Sequence, residues 1–228
     1  MVLFQYMYFI GSLVLFSIWL MFFILRKDLR KEMLVLSILL TIYGLLAEIF
    51  IWTKDWWRPQ TITNTLIGVE DIIYGFALGG IVAVIYEEIF RRRHYKDVKF
   101  EIKPIVVVLP IAISSIVFFT LFFVFNLHSF YSNITGYVAG IAIIYILRND
   151  LIVHSILTGS LLTLIIMPFY WLVLLIDSTF ISKTWFLHKL SGVLILGIPA
   201  EDLVWLYFTG LFIGPLYEFM LGDRTRKI

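Results

Sequence analysis

Two stretches of the chain, Ile67-Gly68-Val69-Glu70-Asp71 and Gly197-Ile198-Pro199-Ala200-Glu201-Asp202, each place two adjacent carboxylic acids in a strongly apolar segment. Glu201 follows Glu70 by 131 positions, and Tyr86-Glu87 and Tyr217-Glu218 follow the two pairs at the same spacing. A charged side chain in hydrocarbon costs at least about 2.5–3.5 kcal/mol on insertion scales. A chain that carries this cost twice, in register, is expected to use these acids.

The composition around these stretches is that of a membrane protein. The chain has 228 residues, of which 61% are hydrophobic, and its mean hydropathy is +0.96. Soluble domains are about 45–50% apolar. The apolar runs are long and continuous, whereas strands of a membrane barrel alternate over roughly ten residues. The sequence therefore predicts an all-α integral membrane protein.

Several kinds of chemistry are excluded or not expected. The chain has no cysteine, which excludes disulfides, iron–sulfur clusters and thiolate metal sites. Its four histidines are not at metal-ligand spacing, and there is no Gly-x-Gly-x-x-Gly motif for a dinucleotide. We expect neither a metal nor a cofactor, and no nucleic-acid partner.

Seven apolar runs have roughly the 20 residues needed to cross about 30 Å of hydrocarbon. They lie near residues 3–25, 33–52, 65–90, 105–126, 130–147, 151–176 and 192–221. Fourteen of the 18 lysines and arginines fall in the loops of one side or in the C-terminal tail. The positive-inside rule then predicts an integral cell-membrane protein with its N-terminus outside and its C-terminus in the cytoplasm.

The likeness between the two halves extends beyond the acid pairs. Arg30-Lys31-Glu32-Met33-Leu34-Val35-Leu36-Ser37 resembles Arg148-Asn149-Asp150-Leu151-Ile152-Val153-His154-Ser155, although the second copy carries about 13 extra residues between its helices. A three-helix unit ends on the side opposite its start, so a linker helix is needed to return the chain. We predict one membrane domain, 1–228, with parallel three-helix repeats at 1–103 and 128–228 joined by a linker span at 104–127.

The acids themselves are expected to be proton donors. Five lie well inside the predicted spans, and these are Glu48, Glu70, Asp71, Glu201 and Asp202. No lysine or arginine lies well within a span, and both desolvation and a like-charged neighbour favour the neutral carboxyl. Small residues on the same helices, such as Gly79 and Gly210, allow close helix approach and direct the acids into the bundle.

Other residues near the acids suggest the reaction. Tyr74 is i+4 from Glu70 and Trp205 is i+4 from Glu201, so each shares a helix face with an acid. Pro199 lacks an N–H and is expected to disturb the turn before Glu201. Aromatic faces stabilise cations. A proton-donating acid, a dry pocket and aromatic walls together suit the protonation of an isoprenoid double bond followed by cyclisation.

Three runs carry a family resemblance: Arg30-Lys31-Glu32-Met33-Leu34, Asp55-Trp56-Trp57-Arg58-Pro59 and 67–76, which begins with the first quoted stretch. They resemble the membrane-integral lycopene cyclase domain family, found as heterodimeric bacterial subunits or fused archaeal and fungal domains. Pro199-Ala200-Glu201-Asp202 is similar to that family's Pro-x-Glu-Glu/Asp motif, whereas the first copy has Gly68 in place of the proline. The resemblance implies a flavin-independent cyclisation of linear carotenoid ends, an intramolecular lyase or isomerase reaction.

The hypothesis assigns the catalytic roles to both acid pairs. A protonated carboxyl donates H⁺ to the terminal double bond, a neighbouring alkene closes the ring, and a carboxylate removes a proton without net redox change. We rank Glu201 and Glu70 first and Asp202 and Asp71 second, and we expect the pair with its proline to be the more active. Glu48 and Arg58 are candidates for orienting or charge-balancing roles.

Other functions stay open at this point. A carotenoid or isoprenoid hydratase would use the same acids and quench the cation with water, and a proton-coupled transporter would relay protons through them. A retinal protein would require a Schiff-base lysine in the last span, which residues 192–221 lack. The expected partners are a linear carotenoid or other isoprenoid and the lipid bilayer, with homo-oligomers or other carotenoid-pathway enzymes left open.

Overall fold

The computed structural model describes residues 2–96 and 104–227. Seven helices within them are long and apolar enough to cross a membrane, which confirms the predicted helical membrane fold. These spans are Phe4–Leu25, Arg30–Asp55, Val69–Ile89, Val106–Val124, Ser129–Leu147, Asn149–Ile176 and Ala200–Leu221. The arrangement of these helices as two parallel repeats stays a prediction.

The elements follow the chain in a simple order. The helices are α1 Val2–Leu25, α2 Arg30–Ala47, α3 Thr53–Asp55, α4 Val69–Ile89, α5 Pro104–Phe119, α6 Ser129–Leu147, α7 Ile152–Ile176, α8 Phe180–Thr184, α9 Ala200–Ile213 and α10 Leu216–Leu221. The strands are β1 Arg92–Lys96, β2 Leu194–Ile195, β3 Ile198–Pro199 and β4 Asp223–Lys227. Two π-helical segments, Glu48–Trp52 and Thr120–Val124, and one 3₁₀ turn, Asn149–Leu151, extend the helices beside them.

The last span begins later than the sequence predicts. The predicted span starts at residue 192, but α9 starts at Ala200 because β2 and β3 form a short hairpin before it. Leu196 and Gly197, between these strands, have φ values of +53° and +85°. Positive φ at both central residues is typical of a two-residue hairpin turn. Pro199 therefore precedes the helix and interrupts none of its hydrogen bonds.

The chain divides into two compact units, and unit one comprises residues 1–81 and 163–204. Within it, α4 packs closely on α2 through glycines. A Cβ at Gly79 would lie 2.6 Å from the carbonyl oxygen of Leu36, and one at Gly75 would lie 3.2 Å from the Cα of Thr41. Small residues are needed here because the two backbones are in contact.

Unit two comprises residues 82–162 and 205–228. Here α9 packs on α7, and a Cβ at Gly210 would lie 2.5 Å from the Cα of Gly159. Strands β1 and β4 pair antiparallel, from Arg92 opposite Lys227 to Lys96 opposite Asp223. The segments that follow α4 and α10 are therefore neighbours in this unit.

Candidate functional site

Both acid pairs lie in unit one, each in the first turn of its helix. Glu70 and Asp71 open α4, and Glu201 and Asp202 open α9. The prediction that they lie well inside the spans is wrong, because both helices start immediately before their acids. They are nevertheless buried, with exposed fractions of 0, 4, 5 and 5% in chain order.

The first acid of each pair binds the loop before its helix. Glu70 Oε1 accepts a hydrogen bond of 2.6 Å from the N–H of Ile62. Glu201 Oε1 accepts one of 2.7 Å from the N–H of Ser191. The other oxygen of each side chain, Oε2, is buried and accepts no hydrogen bond from the part of the chain that the structure describes. The two glutamates thus hold matching positions.

The second acids differ, and the residue three positions earlier explains why. The N–H of Gly68 donates a 2.6 Å hydrogen bond to Asp71 Oδ2. Pro199 has the same offset from Asp202 but has no N–H to donate. Asp202 instead accepts hydrogen bonds from side chains, 2.9 Å from Trp56 Nε1 and 2.7 Å from the Tyr170 hydroxyl.

A backbone contact between two loops of unit one positions Trp56. The N–H of Phe186 donates to the carbonyl of Trp56 at 3.0 Å, and the N–H of Arg58 donates to the carbonyl of Thr184 at 2.8 Å. Trp57 and Trp185 face each other as an isolated antiparallel bridge. The loop after α3 and the loop after α8 therefore fix the indole that binds Asp202.

Asp71 is part of a second group of polar side chains. Its carboxyl lies near the carboxyl of Glu48 and the hydroxyl of Tyr8, and its Oδ1 accepts no hydrogen bond from the described residues. Glu48 is buried and begins the π-helical segment that follows α2. Such segments occur frequently at functional sites. Two buried carboxyl groups this near each other strongly disfavour a state in which both are ionised.

An aromatic cavity lies in the same unit, and the space among its lining side chains, its open mouth included, is about 590 Å³. Tyr170, which binds Asp202, lines it, and so does Tyr8, which interacts with Asp71. The lining is Met7, Tyr8, Gly11, Ser12, Leu15, Trp57, Tyr74, Ile166, Phe169, Tyr170, Val173, Phe180 and Trp185. Asp202 is thus hydrogen-bonded to one tyrosine of the cavity wall, and Asp71 lies near another.

Ring contacts make the aromatic wall continuous. The ring centroids of Trp57 lie 5.6 Å from Tyr8, 6.4 Å from Tyr74 and 5.7 Å from Trp185. Trp185 in turn lies 5.9 Å from Tyr170. Because the quadrupole of an aromatic ring attracts cations to its face, this wall is suited to a positively charged intermediate.

The remaining predicted site residues are placed differently. Tyr74 lines the cavity, and Pro199 is buried at the end of β3. Arg58 is exposed, and its backbone N–H makes the loop contact described above. Trp205 is half-buried and belongs to unit two.

Sequence reasoning missed Tyr8 and Trp185. Tyr8 lies on α1, which carries no acid and no motif. Trp185 lies in the segment between α7 and α9, where the second sequence copy has its extra residues. That insertion was a usable signal, because it is the part of the second copy with no counterpart in the first.

Among the described residues, one group of side chains in unit two could also hold a metal ion. It consists of Glu87, His154 and Glu218.

Comparison with known proteins identifies the family. The family model described as lycopene cyclase matches residues 3–89 and 128–220, which is most of the chain and includes both acid pairs. No curated protein and no solved structure matches the chain. With its apolar helices and this match, the chain belongs to the lycopene cyclase family of membrane carotenoid cyclases.

Proposed function

We propose that this protein closes an end ring on a linear carotenoid inside the aromatic cavity of unit one. The observation that carries the proposal is the pairing of that cavity with Asp202, which accepts a hydrogen bond from the cavity-lining Tyr170, while the cavity-lining Tyr8 lies near Asp71. An elongated apolar substrate reaches such a site from the bilayer, and its end fits a cavity with few polar groups.

The two aspartates are assigned opposite roles. Asp71 lies beside the buried Glu48, and this carboxyl pair holds a proton readily because two adjacent buried charges are unfavourable. The pair is the proposed proton donor. Asp202 accepts hydrogen bonds from an indole N–H and a phenol O–H, and such donors stabilise an anionic carboxylate. Asp202 is the proposed base.

The reaction is then balanced without a redox step. H⁺ from the Glu48–Asp71 pair adds to the terminal double bond and leaves a cation. A neighbouring double bond attacks this cation and forms the ring bond. Asp202 takes a proton from the ring and so sets the final double bond. Trp57, Trp185 and Tyr74 stabilise the intermediate cation.

Glu70 and Glu201 have a supporting role in this scheme. Each holds a loop N–H at the entrance to its helix, and this fixes the position of the aspartate that follows it. The ranking inferred from sequence, which puts the glutamates first, is therefore reversed in the proposal.

The proposed orientation has the N-terminus outside and the C-terminus in the cytoplasm. It is supported by the antiparallel pairing of β1 with β4, because that pairing requires the basic segments after α4 and α10 to share one side. Reporter fusions at both termini test it.

Expression in lycopene-producing bacteria, followed by chromatography of the pigments, tests the function. Cyclic carotenoids are expected with the wild type and not with the double variant Glu48→Gln/Asp71→Asn. Asp177→Asn, which changes a partly exposed loop carboxylate, is the matched control. Hydroxylated linear products would favour a hydratase, and unchanged lycopene with well-expressed protein would refute the proposal.

A further inference from the structure

Unit two contains a buried group of three side chains that the proposed cyclisation does not use. Glu87 lies near the end of α4, His154 near the start of α7 and Glu218 in α10. The side chains of Glu87 and Glu218 have an exposed fraction of 0%, and that of His154 has 5%. Two carboxyl groups and an imidazole buried together require compensation of charge.

The geometry places one carboxylate at each ring nitrogen. Nδ1 of His154 lies 3.2 Å from Glu218 Oε1, and Nε2 lies 3.6 Å from Glu87 Oε1. One ligand atom from each of the three residues lies within 4.8 Å of the others. Metal bonds of about 2.0–2.2 Å around a tetrahedral ion put two ligand atoms about 3.3–3.6 Å apart. The separation of Nδ1 from Glu218 Oε1 is close to that range, and Glu87 lies within 4.8 Å at the other ring nitrogen.

The sequence gives a second, independent indication that this group is built. Tyr86-Glu87 and Tyr217-Glu218 occupy matching positions of the two sequence copies, whereas His154 has Leu36 as its counterpart. One histidine therefore serves two related glutamates. The ring of Tyr86 stacks on His154, with centroids 4.2 Å apart, and holds the imidazole in the plane between the carboxylates.

Other charged groups of unit two surround the three residues. Arg148 donates from Nη1 to the backbone carbonyl of Glu218 at 3.3 Å and forms an ion pair with Asp150. The guanidinium of Arg92 lies over the ring of Tyr86, 5.3 Å from its centroid. These contacts fix the backbone and the stacked ring around the three potential ligands.

We propose that Glu87, His154 and Glu218 bind one divalent transition-metal cation such as Zn²⁺ or Mn²⁺. Imidazole and carboxylate ligands suit these ions. Glu218 and Nδ1 of His154 are the first two ligands. The Glu87 carboxylate turns from Nε2 to the cation and completes the set. Bound in this way, the cation joins the ends of α4, α7 and α10 and is a structural site distinct from the ring-closing chemistry.

Metal analysis of the purified protein tests the site directly. Protein prepared in detergent without chelator is expected to contain about one divalent metal ion per chain. His154→Ala and Glu218→Gln should lose most of it, and Glu87→Gln should retain less than the wild type. Glu88→Gln, one position along the same helix, and His188→Ala, in a loop of unit one, are matched controls that should keep the full content.

A measurement on wild-type protein covers the case in which the variants fold poorly. Chelator-stripped protein should unfold at a lower temperature, and adding Zn²⁺ or Mn²⁺ alone should raise the midpoint by at least about 4 °C. Wild-type protein without metal and without a shift would overturn the proposal. Metal retained equally by His154→Ala would also overturn it, because that result indicates an adventitious ion only. Pigment analysis of the same preparations tests the cyclase proposal separately, because metal content and cyclic carotenoid are measured independently.

Discussion

The start of α4 and the start of α9 carry the same two acids, yet they use them differently. At α4 both acids accept backbone N–H groups, from Ile62 and Gly68. At α9 the glutamate does the same with Ser191, but the aspartate accepts from Trp56 and Tyr170. Acids in a first turn commonly satisfy free N–H groups. Asp71 therefore caps its own helix, Glu70 and Glu201 bind the loops before their helices, and Asp202 is bound by two side chains.

The difference depends on one position, glycine in the first copy and proline in the second. At Gly68, a Cβ would lie 2.5 Å from Oε2 of Glu70, so a larger residue there would displace that carboxylate. Pro199 removes the backbone donor that would otherwise engage Asp202. The missing N–H of Pro199 thus explains why Asp202 binds a side chain of the cavity wall, whereas Asp71 caps its helix.

Replacing Asp202 should give the largest effect. Asp202→Asn loses the anionic base but keeps the size of the side chain, so formation of cyclic carotenoid should fall by about 100-fold or more. Chromatography of pigments, normalised to the amount of protein in the membrane, measures it. Asp177→Asn is the control, and a fall of similar size in that variant would assign the loss to folding.

Restoring an N–H at position 199 tests whether its absence explains the difference between Asp202 and Asp71. Pro199→Gly and Pro199→Ala both add a donor three residues before Asp202, which should draw its carboxylate away from Tyr170 and lower cyclisation by about tenfold or more. The two variants differ in backbone flexibility and share the donor. Equal losses would indicate the N–H, whereas a loss in the glycine variant alone would point to flexibility and contradict our explanation.

Removing the phenol donor should have a smaller effect. Tyr170→Phe deletes one of the two hydrogen bonds to Asp202, a loss of about 1.5–3 kcal/mol for a bond to a charged group, and should lower cyclisation about tenfold. Initial rates in isolated membranes with supplied lycopene measure the change. Tyr131→Phe, on an exposed position of α6 in unit two, should behave as the wild type.

The glutamates should show the smallest effects, and the two should match. In Glu70→Gln and Glu201→Gln the amide oxygen can still accept the loop N–H, so each variant should keep cyclisation within about threefold, which corresponds to roughly 0.6 kcal/mol, the low end for a hydrogen bond. Parallel pigment assays of both variants measure this. A large loss confined to Glu201→Gln would restore the ranking based on the sequence and make that glutamate a proton donor.

The family match and the fold class were within reach of the sequence, but the order of importance among the acids was not. Glu201 and Glu70 stand out in the motif, whereas Asp202 differs only through bonds to Trp56 and Tyr170, which are 146 and 32 residues away. Helix starts were also misplaced. An apolar run continues through the hairpin at 194–199, and hydropathy does not separate a hairpin from a helix.

The sequence by itself determined the seven apolar helices, the two acid pairs and the glycine-to-proline exchange between them. These are local features, because span length, apolar content and the missing N–H of proline are properties of neighbouring residues. Only the tertiary structure decided which side chains meet. It brought Trp56 and Tyr170 to Asp202 in unit one, and His154 between Glu87 and Glu218 in unit two. Such contacts depend on the packing of helices far apart in the chain, which no local pattern encodes.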